Sequence, residues 1–72
     1  MMCIASMKNM TDAHRAIRAL SGAGVRAEIV GLDPNMTKHG CAYGVSFACN
    51  EKEEARRLLA SRRINYGELL GG

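Results

Sequence analysis

The sequence predicts an α+β domain, a ferredoxin-like βαββαβ sandwich in which a four-stranded antiparallel sheet carries two helices on one face. Three observations lead there. Short apolar runs with strand character are interleaved with two segments of helical period. Their order along the chain is strand, helix, strand, strand, helix, strand. A chain of 72 residues is long enough for one domain only. At that size only about 60% of the unfolded surface is buried on folding, so the core is small and an enclosed substrate cavity is not expected.

Each element has its local reason. Met2 to Met7 form an apolar run without helical period, bounded by Lys8 and Asn9, and read as a buried strand. Asn9 is placed to cap the first helix, and Asp12 lies three residues on, at the positive end of the helix dipole. Ala13, Ala16, Ile17 and Leu20 recur at the spacing of one buried face, while His14, Arg15 and Arg18 point elsewhere. Gly22 and Gly24 supply left-handed conformations to end it.

Val25, Ala27 and Ile29 then alternate with Arg26 and Glu28 as a half-buried strand running to about Leu32, and Pro34 stops it. Tyr43, Val45, Phe47 and Cys49 alternate with small residues as a third strand. Asn50 and Glu53 form a capping-box pattern for the second helix, with Glu51 and Glu54 in the same turn. Ala55, Leu58 and Leu59 supply its buried stripe, and Arg62 and Arg63 suit its negative end. Residues 64–69 return as the fourth strand. The domain spans 1–70, with 71–72 as a flexible tail.

Composition excludes several classes. The net charge of +3 is a mild basic excess, and aromatic residues make up 4% of the chain. Tyr43, Phe47 and Tyr66 are too few to serve as stacking platforms for single-stranded nucleic acid. The segment from Met1 to Lys8 lacks the basic and long apolar regions of a signal peptide, and no stretch reaches transmembrane length. The expectation is a cytoplasmic protein without membrane contact. Three cysteines, an odd number, argue against a disulfide framework. Cys3, Cys41 and Cys49 make no C-x-x-C pair, and His14 and His39 fit no zinc pattern, so neither a metal nor a cofactor is expected. Cys3 and Cys49 read as small buried hydrophobes.

Cys41 reads differently. It lies between Gly40 and Gly44, just after Lys38 and His39, in the connection that begins at Asp33. Nearby positive charge and partial exposure favour a thiolate, and Gly40 allows close approach to the sulfur. Right-handed crossovers make the first two strands parallel with the third between them. The connection therefore lies at the end of the sheet where the first helix begins, near Lys8 and Asn9. The second helix delivers Arg62 and Arg63 to the same end, whereas Cys3 and Cys49 fall at the opposite one. The candidate site is thus Cys41 as the reacting group, with Lys8, Asn9, Lys38, His39, Gly40 and Ala42 as substrate or partner contacts. The plainer alternative is a packing thiol beside solvated loop cations.

Thr11-Asp12-Ala13 at the first helix, Pro34 in the loop, and the run Cys41-Ala42-Tyr43-Gly44-Val45-Ser46-Phe47 resemble the small family of selenium/sulfur (Se/S) carrier-like proteins. The likeness covers nearly the whole chain. In that family a glycine commonly follows the cysteine and a basic residue lies further along the strand; here Ala42 and Ser46 stand in those places. The resemblance implies that Cys41 holds a terminal sulfur or selenium atom as a persulfide or selenosulfide. It further implies a cysteine desulfurase-like donor and a chalcogen acceptor protein, with this chain a carrier rather than a stand-alone enzyme. A small nucleic-acid-binding module and a regulatory ligand-binding module on the same architecture are the alternatives. A homodimer through the helix-free sheet face, where Ile4 and Val30 are expected, fits each of these readings.

Overall fold

The computed structural model describes residues 1–33, 35, 37 and 42–71. Strand β1 (Met2–Met7) leads into helix α1 (Met10–Gly22), and β2 (Ala27–Gly31) and β3 (Tyr43–Ala48) follow. A short 3-10 turn (Cys49–Glu51) precedes α2 (Lys52–Ser61), and β4 (Leu69–Gly71) completes the chain. The sheet order is β2-β3-β1-β4, with every neighbouring pair antiparallel. The fold is α+β as expected, and the order is consistent with a ferredoxin-like arrangement.

Alternation decides which way each strand faces. Cys3, Ala5 and Met7 are buried beneath the helices, and the register sets Cys3 opposite Phe47 and Ala5 opposite Val45. Helix α1 covers them with Leu20 and with Ala13, Ala16 and Ala19, the alanines small enough to let a helix lie close to the sheet. From α2, Ala55 and Leu59 close the same core. Phe47, Met7, Leu20 and Leu59 are its largest fully buried side chains. The α1 cap forms as expected: Asn9 Oδ1 accepts from the Asp12 backbone N–H at 2.8 Å.

Several boundaries differ from the sequence reading. Gly24 does adopt a left-handed φ of 82°, but Gly22 is still helical and Ala23 is the C-cap. Val25 is buried yet precedes β2, because its N–H is taken by the Leu20 carbonyl at 2.8 Å. The capping box of Asn50 and Glu53 does not form: Asn50 lies inside the 3-10 turn and α2 has no side-chain cap. Glu53 instead pairs with Arg56 at 3.4 Å.

The fourth strand is also shorter and later than predicted. Ile64 is buried and its N–H returns to the Leu59 carbonyl at 2.9 Å, finishing α2 rather than opening a strand. The incoming chain is then anchored on buried Ser6, whose carbonyl accepts from the Gly67 N–H at 2.8 Å and whose Oγ accepts from the Glu68 N–H at 2.9 Å. Gly71, assigned by sequence to a flexible tail, is paired with Cys3. Its φ of 94° and the Met2 carbonyl oxygen 2.7 Å from where a β-carbon would stand both require glycine. Pro34 and Gly72 lie outside the described residues.

The largest correction concerns sulfur. Cys3 and Cys49 form a disulfide across 46 residues, with Cα atoms 5.0 Å apart. Counting cysteines could not reveal it, but register does. Phe47 is opposite Cys3, so Cys49, two residues further, returns to the same face on the diagonal. The Cys49 N–H bond to the Met1 carbonyl at 3.0 Å holds that end together.

Arg63 yields a test of this description. It follows the α2 C-cap with a φ of 56°, a left-handed position that ordinarily takes glycine. Arg63→Gly should relieve that strain and raise stability by up to about 1 kcal/mol, after the added freedom of the unfolded chain is subtracted. Thermal melts should show a modest upward shift. A downward shift would mean that the side chain contributes more than its strain costs.

Candidate functional site

Three strand ends meet at one edge of the sheet. Tyr43, the first residue of β3, is paired with Met7 at the end of β1 and with Gly31 at the end of β2. Lys8 and Asn9 leave β1 at this edge, and Ala42 enters β3 there. The Ala42 carbonyl accepts the Leu32 N–H at 2.8 Å, closing the base of the connection between β2 and β3. Asp33 turns the chain just beyond, accepting the Asn35 N–H on Oδ1 at 3.0 Å.

The predicted site residues therefore divide into two groups. Lys8, Asn9 and Ala42 share one end with the positive N-terminus of α1. Lys8 is exposed, and Asn9 is occupied in capping, with Nδ2 also 3.4 Å from an Asp12 carboxylate oxygen. Lys38, His39, Gly40 and Cys41 lie outside the described residues; in the chain, Cys41 immediately precedes Ala42.

The end of α2 reaches α1 as the topology requires, because Arg15 donates to the Arg62 carbonyl at 3.2 Å. That contact forms a cluster absent from the sequence reading. Arg15, Arg18 and Arg62 line a groove together with Ala19 and Ile64. An arginine pair at i, i+3 on the outer face of α1 was visible in the sequence; its meeting with a residue 47 positions away was not.

Among the described residues no helix lies on the opposite face of the sheet. Ile4 and Val30 lie there as expected, opposite Ser46 and Gly44. Gly44 makes room for the surrounding apolar side chains, since a β-carbon on it would stand 2.5 Å from Ile4 Cγ2 and 3.0 Å from Leu32 Cδ1.

Among the described residues no group of three or more His, Cys, Asp or Glu side chains is arranged to hold a metal ion. No described helix is long and apolar enough to cross a membrane. Neither a curated protein nor a solved structure matches the chain. A family model described as "Putative Se/S carrier protein-like" matches residues 2–70.

Proposed function

From the premise that the chain belongs to the Se/S carrier protein-like family, we propose that it carries sulfur or selenium on Cys41 between a donor and an acceptor protein. One observation supports the choice of residue above the others. The chain has three cysteines and the Cys3–Cys49 bond engages two of them, so Cys41 is the one that this bond leaves out.

The chemistry is an exchange without net oxidation. The Cys41 thiolate attacks the terminal sulfur of a donor persulfide; a new S–S bond forms at Cys41 while the donor S–S bond breaks. The donor leaves as a thiolate, and Cys41 holds the transferred sulfur as a persulfide. A terminal selenium atom moves by the same displacement to give a selenosulfide. Delivery to the acceptor repeats the exchange in reverse, so no general base is needed beyond what keeps Cys41 ionised. In this reading Lys8, Lys38, His39 and the α1 N-terminus favour the thiolate, with Asn9 holding that helix start in place. Gly40 and Ala42, both small, leave the sulfur accessible. A domain this small suits a carrier whose reactive end must enter two different partners.

The test is direct transfer. Incubating the protein with a cysteine desulfurase and isotopically labelled cysteine should give label on this chain that dithiothreitol releases. Absence of label under conditions where the desulfurase charges itself would overturn the reading.

A further inference from the structure

We propose that the groove between α1 and the turn after α2 is a binding site for a phosphate-type oxyanion, independent of Cys41. It is lined by three arginines, Arg15, Arg18 and Arg62, together with buried Ala19 and Ile64. Arg15 is held in place from two sides, by the Arg62 carbonyl at 3.2 Å and by Asp12 at 3.6 Å. Among the described residues no carboxylate pairs with Arg18 or Arg62.

The charge count of the groove points to the class of ligand. Three arginines line it and one carboxylate, Asp12, pairs with one of them, Arg15, which leaves two positive charges unmatched. Elsewhere on the helices the arginines are matched locally, Arg56 with Glu53 and Arg57 with Glu54. This cluster, by contrast, is left in excess, and it is built from two separate elements. A dianion balances it, whereas a single carboxylate does not. A phosphoryl group also presents three or more oxygens in different directions, so guanidinium forks on separate elements can engage it together. The groove is open to solvent and offers about 240 Å³, below the roughly 300 Å³ at which drug-sized ligands begin to be buried. It therefore suits a phosphoryl group, free or at the end of a larger molecule whose remainder stays in solvent.

The experiment is a titration of the oxidised, full-length protein with inorganic phosphate and with pyrophosphate, followed by amide NMR at constant ionic strength in chloride. The proposal expects saturable shifts confined to residues near 15–19 and 62–64. Arg18→Gln and Arg62→Gln should each weaken binding by about tenfold or more, the usual scale for a lost charge-assisted hydrogen bond. Arg62→Lys, which keeps the charge and loses the fork, should fall between. Arg56→Gln, at an already paired arginine, should change nothing. Tighter binding of pyrophosphate than of phosphate would identify a diphosphate-bearing ligand, and equal binding a single phosphoryl group; both support the site. Shifts that rise linearly without saturation would overturn it, as would equal weakening in Arg56→Gln. A glutamate-rich peptide that binds the same residues more tightly than phosphate would also overturn it, by making the groove a protein-docking surface.

Discussion

Breaking the Cys3–Cys49 bond is expected to lower the unfolding free energy by about 4 kcal/mol, the chain-entropy value for a loop of this length. The bond spans 46 residues and ties the start of β1 to the start of the 3-10 turn. A domain of this size has a total stability of only about 4–11 kcal/mol. Loss of the crosslink thus removes a large fraction of what holds the fold. Urea unfolding with and without reductant should show a clear fall in midpoint. Cys49→Ser, which removes the partly exposed partner and leaves Cys3 in the core, should match the reduced protein closely. An unchanged midpoint in both would mean that the two sulfurs are not bonded in solution.

Cys41→Ser should abolish chalcogen loading, by a factor above one hundred, while the circular dichroism spectrum and urea midpoint stay unchanged. A hydroxyl is almost wholly protonated at neutral pH and forms no bond to sulfane sulfur comparable to a persulfide, so no residual route remains through residue 41. Loading of Cys49→Ser, by contrast, should persist on Cys41. The two substitutions therefore separate the staple from the carrier: one costs stability and spares transfer, the other does the reverse. Loading that survives Cys41→Ser in the oxidised protein would remove the basis for the proposed function.

Most of the architecture was legible because two periodicities were clean. Alternation through Val45 and Phe47 marked the buried face of β3, although Tyr43 at its start is exposed, and the spacing of Ala13, Ala16 and Leu20 marked that of α1. Errors fell where a contact distant in sequence overrode a local signal. Asn50 and Glu53 have the residue types of a capping box, yet the tie of Cys49 to Cys3 and Met1 fixes the chain just ahead of them, and a 3-10 turn takes the place of the cap. Residues 64–68 looked like a strand, but Ile64 closes α2 and Ser6 binds the chain beyond it.

The site was legible in part for similar reasons. Strand order alone brought Lys8, Asn9 and Ala42 to one end. The disulfide escaped a parity argument, because parity of cysteine number says nothing about register. The arginine groove escaped because a helix face read alone shows charges without showing what they meet. For Lys38, His39, Gly40 and Cys41 the expectation rests on the chain order and on family membership.

The carrier reading is tested most directly by mass spectrometry of the protein isolated from cells without reductant and digested under non-reducing conditions. The prediction is a peptide containing Cys41 that carries the mass of one added sulfur or selenium atom, lost on treatment with dithiothreitol, beside a separate crosslinked peptide pair joining Cys3 and Cys49. An unmodified Cys41 peptide from cells with an active desulfurase and selenium supply, or Cys41 found in a disulfide with either of the other cysteines, would contradict it.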